Sequence, residues 1–87
     1  MTPGLVLVHR RDCELCDEML AQLRVLGRRE SLPSLSVVDV DADPELLRRH
    51  GLQVPVLLLD GSPVCRQRLD VPELLRLLRP RGALASP

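Results

Sequence analysis

The sequence has no phenylalanine, tyrosine or tryptophan and no lysine, so all twelve of its cations are arginine. Without a ring there is no platform for an unpaired base, and twelve acids cancel the twelve bases, which removes the basic footprint of a nucleic-acid binder. No nucleic-acid partner is expected. The missing lysine excludes Schiff-base chemistry and a P-loop grip on phosphates. Long apolar runs are missing as well. The longest, Leu5 to Val8 and Val54 to Leu59, fall far short of the roughly 18 residues of a membrane span. The first of them has no basic flank and is shorter than the roughly 7-residue core of a secretory signal, so no membrane partner and a cytoplasmic location are expected. Three cysteines are an odd number and too few for a disulfide scaffold; in a reducing compartment they read as catalytic, metal-binding or incidental.

What is present is branched aliphatic bulk: 20 leucines and 10 valines in 87 residues. A chain of this length holds one domain and must place most of those side chains inside to fold at all. The domain is expected over residues 1–79. Residues 80–87 have neither periodicity nor bulk and read as a flexible C-terminal tail.

Gly4 to His9 is short, continuously apolar and valine-rich, as in a strand covered on both faces. After the charged turn Arg10-Arg11-Asp12, the spacing of Leu15, Met19, Leu20, Leu23 and Leu26 predicts an amphipathic helix from Glu14, with Gly27 and Arg28-Arg29 where helices usually stop. Leu35 to Val40 returns to strand character, which makes a right-handed βαβ unit. Asp43 is a strong N-cap and Pro44 suits the first helical position. Leu46 and Leu47 supply the buried face of a short helix that Gly51 closes, with His50 as a charged cap at its end. Gln53 to Leu59 reads as a third strand. Asp60-Gly61 is a hairpin signal that folds Pro63 to Leu69 back as an antiparallel edge strand. Asp70 and Glu73 start a last helix whose apolar side is Leu74, Leu75, Leu77 and Leu78. The fold class is α/β, in the order β-α-β-α-β-β-α, with a four-stranded mixed sheet between helices.

The chemistry concentrates in Cys13-Glu14-Leu15-Cys16, at the turn from the first strand into the first helix. A thiol at a helix N-terminus sits in the field of unpaired amides, which favours thiolate and makes a nucleophile. Three residues on, a second thiol comes round the first turn into disulfide reach and can resolve a mixed disulfide. Arg10 and Arg11 favour the Cys13 thiolate while Asp12, Glu14 and Asp17 oppose it, so a modest depression of its pKa is expected. Cys16 is expected to be the less exposed of the two. A metal reading of the pair needs further ligands from Cys65, His9, His50 or scattered carboxylates. Cys65, on the edge strand, reads as a small hydrophobe.

The C-x-x-C that closes the first strand, the stretch Asp39-Val-Asp-Ala-Asp43 and the stretch Gly51-Leu-Gln-Val-Pro55 together resemble the thioredoxin superfamily, and the size resembles its short glutaredoxin-like members, over residues 4 to 79. The resemblance implies a thioredoxin-like fold and a thiol-disulfide oxidoreductase acting through Cys13 and Cys16. It implies a cis Val54-Pro55 bond against the cysteines, giving backbone contacts to substrate, and Arg10 where glutaredoxins carry a lysine that helps hold glutathione. It implies no bound cofactor, only an electron donor, either glutathione or a reductase. The expected partners are protein or small-molecule disulfides, met by a monomer. The chain departs from thioredoxins at Leu7, where they bury a carboxylate, and at Asp12, where they place tryptophan. It departs from glutaredoxins at Glu14-Leu15, where they have Pro-Tyr, and at Cys65-Arg66-Gln67-Arg68, where they have a Gly-Gly pair. A weak use of glutathione and a preference for a dithiol donor follow. The rival is a non-enzymatic binding module of the same fold, holding a metal or an iron-sulfur cluster through the same cysteines.

Overall fold

A computed structural model describes residues 4–79, so the tail expected over 80–87 lies outside the described residues. The elements follow the expected order: β1 (Leu5–His9), α1 (Glu14–Arg29), β2 (Leu35–Asp39), a 3-10 turn (Val40–Ala42), α2 (Pro44–His50), β3 (Val56–Leu59), β4 (Ser62–Arg66) and α3 (Val71–Leu78). The sheet order is β2-β1-β3-β4. β1 runs parallel to β2 and antiparallel to β3, and β3 pairs antiparallel with β4. A parallel neighbour needs a crossover, and α1 supplies it.

Alternation along the strands sorts the core into two layers. Leu5, Leu7, Leu57 and Leu59 meet Met19 and Leu23 of α1 and Leu74 and Leu78 of α3, while Val8, Val56 and Leu58 meet Val40 on the opposite face, with Leu46 of α2 packed at its margin. The Asp60-Gly61 turn has φ of 50° and 88°, the two positive values that a tight hairpin matching the strand twist requires. β4 is the edge, with Pro63 in it, and the pairing slips between Leu57 and Leu58. Val64 is the extra residue there, so Val64 and Cys65 both pack against the α1/α3 core.

Several boundaries and contacts differ from the sequence expectation. α1 is not among them: it runs 16 residues to Arg29, within the stop expected over Gly27 and Arg28-Arg29, where the N–H of Glu30 closes the last turn on the Leu26 carbonyl. β3 begins at Val56, because the Gln53 N–H turns back to the His50 carbonyl. β4 ends at Arg66, because Gln67 takes a left-handed φ of 66° and its N–H donates to the Pro55 carbonyl. On α2, Leu46 is only half-buried and Leu47 is exposed, while His50 is the residue that goes inside. His50 is no charged cap. Among the described residues its Nδ1 has no partner, and burial, then Arg66 and Arg49, push its pKa below the usual histidine value.

Candidate active site

β1 ends at the centre of the sheet and the chain turns sharply before α1. Asp12 makes the turn with φ of 56°, a left-handed conformation that aspartate tolerates. Cys13 follows in extended backbone as the N-cap of α1, and the Cys16 N–H donates to its Sγ at 3.2 Å. An N-cap normally presents an oxygen; here a sulfur takes that place, and the N–H that it accepts is a donor suited to negative charge on that sulfur once the pair is reduced. The Cys13 and Cys16 sulfurs lie within disulfide distance, with their Cα atoms 5.2 Å apart. Cys13 is half-buried and Cys16 only 2% exposed, so one thiol faces outward and the other waits behind it. Glu14 and Asp17, in the first turn, suit the helix dipole and remain exposed.

The antiparallel register pairs Val8 with Val56, so Pro55, one residue earlier, comes alongside His9 at the end of the sheet where the Cys13 turn leaves it. The Val54-Pro55 bond is cis, and Pro55 is fully buried. Its carbonyl accepts the Gln67 N–H, which ties the loop between β4 and α3 to this edge. A small groove of about 150 Å³ opens there, lined by Leu15 and Met19 of α1 and by Gln67, Arg68 and Leu69. Cysteines, Pro55 and Gln67 thus converge at one end of the sheet, although β1, β3 and the β4-α3 loop are far apart in sequence.

Arg10, expected to offer its charge to a substrate, is turned inward to the chain. Its Nε and Nη2 donate to the two carboxylate oxygens of Asp41 at 3.0 and 3.1 Å, and its Nη1 donates to the Gly51 carbonyl at 2.9 Å. The pairing holds the Asp41 carboxyl below the usual carboxylate range. Cys65 is a free, half-buried thiol whose pKa burial pushes up, consistent with a small hydrophobe of the core. Among the described residues no group of three or more histidine, cysteine or acidic side chains is placed to hold a metal ion. Reading the sequence missed Asp41 as the partner of Arg10 and Gln67 as the partner of Pro55. For Gln67 no local signal marked the positive φ of 66° that the structure gives it.

Residues 4–79 match the family described as Glutaredoxin-like domain. Among curated proteins, none matches. Among solved structures, a protein of Nitrosomonas europaea determined by solution NMR is 32% identical, with a TM-score of 0.77 over 88% of this chain and 93% of its own. An X. campestris protein determined by X-ray diffraction is 31% identical, with a TM-score of 0.66 over 88% and 97%. A buckwheat glutaredoxin in complex with glutathione shares the fold at 19% identity, with a TM-score of 0.63 over 94% of this chain and 82% of its own. The mixed four-stranded sheet with its helices is that of the thioredoxin fold. With that fold, and with a profile match that spans every described residue, the chain belongs to the glutaredoxin-like family of the thioredoxin superfamily.

Proposed function

We propose that this chain is a small thiol-disulfide oxidoreductase in which Cys13 is the nucleophile and Cys16 the resolving thiol. The observation that carries the reading is the Cys13 sulfur at the cap of α1, accepting the Cys16 N–H while the buried Cys16 sulfur stands in disulfide reach. A thiolate there is stabilised by the helix N-terminus and is the more accessible of the pair. It attacks one sulfur of a substrate disulfide, forming a Cys13–substrate disulfide and releasing the first substrate thiolate. Cys16, deprotonated, then attacks Cys13 Sγ, forming the Cys13–Cys16 disulfide and releasing the second thiolate. Two electrons pass from the cysteine pair to the substrate, and an external thiol donor returns them.

Val54 and Pro55 form the edge on which a disulfide-bearing peptide or small molecule lies, and the protein works as a monomer in the cytoplasm without a bound cofactor. Two features favour a dithiol donor, such as the active site of a reductase, over glutathione. Three donors of Arg10 are already engaged by Asp41 and Gly51, and Gln67, not glycine, stands beside Pro55. Reduction of a protein disulfide by the wild type, Cys13→Ser and Cys16→Ser tests the reading. Cys13→Ser is expected to lose all turnover, Cys16→Ser to accumulate mixed disulfides with substrate, and Cys13 to alkylate faster than Cys16 in the reduced protein at neutral pH. Full activity of Cys13→Ser, or faster alkylation of Cys16, would overturn it.

A further inference from the structure

Arg10 lies at the junction of three loops that the sheet brings together. The parallel register sets His9 opposite Asp39, so Arg10, one residue beyond, and Asp41, two beyond, meet across 31 residues of sequence. The Asp41 carboxylate is held in place from below, since its own N–H donates to the Asp39 side chain at 2.9 Å. The third contact is the Gly51 carbonyl at the end of α2. Gly51 is packed so closely on the preceding turn that a Cβ there would come 2.5 Å from the Leu47 carbonyl oxygen, which fixes where that carbonyl points. From Gly51 the chain runs through Leu52, 97% exposed, to the buried Pro55. The segment therefore has a polar anchor at each end, Arg10 on Gly51 and Gln67 on Pro55; between them the Gln53 N–H closes on the His50 carbonyl and half-buried Val54 packs at the margin of the Val8, Val40, Val56 and Leu58 layer.

We propose that Arg10 is a positioning residue: clamped by Asp41, it holds the Gly51–Pro55 segment in register beside Cys13 and does not itself bind the substrate. The kinetic consequence rests on the oxidoreductase reading; the clamp itself does not. A guanidinium suits the task because its planar fork meets a carboxylate with two parallel bonds and still has a donor for a carbonyl in the same plane. Lysine presents a single charged centre and cannot satisfy both partners in that geometry. Asp41 is the discriminating position. If Arg10 bound an anionic substrate directly, removing the Asp41 charge would leave Arg10 free and strengthen binding. As a clamp, Arg10 without Asp41 loosens the segment and weakens binding of every disulfide substrate alike.

The test compares Arg10→Met, Arg10→Lys, Asp41→Asn and the Arg10→Met/Asp41→Asn double variant with the wild type. One arm measures hydrogen exchange at the Leu52, Gln53 and Val54 amides. The other measures KM and kcat on a protein disulfide and on a small glutathione mixed disulfide. Arg10→Met and Asp41→Asn are each expected to speed exchange at these amides and to raise KM for both substrates by about threefold to tenfold, with kcat changed by less than about twofold. The double variant is expected to be no worse than either single one, because the two residues act as one unit. Arg10→Lys is expected to fall between Arg10→Met and the wild type. Unchanged exchange and KM in Asp41→Asn beside a raised KM in Arg10→Met would overturn the proposal, as would a lower KM of Asp41→Asn for the glutathione disulfide alone. The exchange arm needs no turnover. A wild type inactive on every disulfide would therefore count against the oxidoreductase reading, while the exchange rates would still decide the clamp.

Discussion

The two faces of the sheet are covered in different ways. On one, α1 and α3 lay Met19, Leu23, Leu74 and Leu78 onto the leucines of β1 and β3, all of them essentially without exposure or close to it. On the other, seven-residue α2 contributes a half-buried Leu46 and a buried histidine, and its Leu47 is 42% exposed. The first face is a packed hydrophobic layer. The second is a light cover held by caps and polar ties: Asp43 on the Glu45 and Leu46 amides, Glu45 on Arg48 and Arg49, and Arg10 on Asp41 and Gly51. Both faces reach the cysteine pair, the first through the α1 cap and the second through the segment that leads to Pro55. Stability therefore resides mainly on one side, and the edge that carries Pro55 is hung from the other.

Truncating the two covers should give the largest difference. Leu74→Ala, in the fully buried layer, is expected to lose about 2 to 5 kcal/mol, whereas Leu46→Ala, half-buried on the α2 side, is expected to lose about 1 kcal/mol. Urea unfolding of both variants measures this directly. Equal losses would mean that the α2 side is as much a part of the core as the α1 and α3 side.

Two glycines sharpen the same contrast at smaller magnitude and with opposite signs. Gly51 sits at the end of α2 against Leu47, where a Cβ would also come 2.8 Å from Cδ1, so Gly51→Ala is expected to cost about 1 to 3 kcal/mol. Gly27 lies inside α1, exposed, and a Cβ there would meet only Leu32 Cδ1 at an ordinary 3.7 Å. Gly27→Ala is therefore expected to raise stability by about 0.5 to 1 kcal/mol, because helix interiors favour alanine. A loss at Gly27 would show that α1 ends there in solution, short of Arg29.

Much of this architecture was legible in the sequence because local physics and the fold agree. The 3.6-residue spacing of leucines in α1 and α3, the Asp43-Pro44 start of α2 and the Asp60-Gly61 turn all lie where expected. The cysteine pair was legible for the same reason, since a strand ending four residues before an amphipathic pattern places it at a helix cap. What was hidden is tertiary. No spacing along the chain pairs Arg10 with Asp41, because their meeting depends on the β1/β2 register. The shortening of β3 and β4 has one cause in each strand, a backbone amide spent outside the ladder, Gln53 on the end of α2 and Gln67 on Pro55. His50 read as a charged cap because the dipole favours an imidazolium at a helix C-terminus. Instead it is the buried residue of α2, with Leu46 half-buried and Leu47 exposed.

That histidine supplies the smallest expected effect and the one most specific to the light face. Burial, then Arg66 and Arg49, lower the His50 pKa in the folded protein relative to an unfolded chain, where it takes its usual value near 6.5. Above that value both states hold a neutral imidazole and stability is full. As pH falls through it, the unfolded state takes up a proton that the folded state refuses, so stability declines and levels off only below the folded pKa. The carboxyls held low by arginine partners, Asp41, Glu45 and Glu73, lose their contribution in a separate and more acidic window, as pH drops through the carboxylate range. Urea midpoints at pH 8 and pH 5.5 are therefore expected to differ in the wild type, with the lower midpoint at pH 5.5. In His50→Gln, which keeps the size and polarity of the site but does not titrate, the difference should shrink. A slope that persists undiminished in His50→Gln would place the sensitive group elsewhere and leave the α2 corner without a role in it.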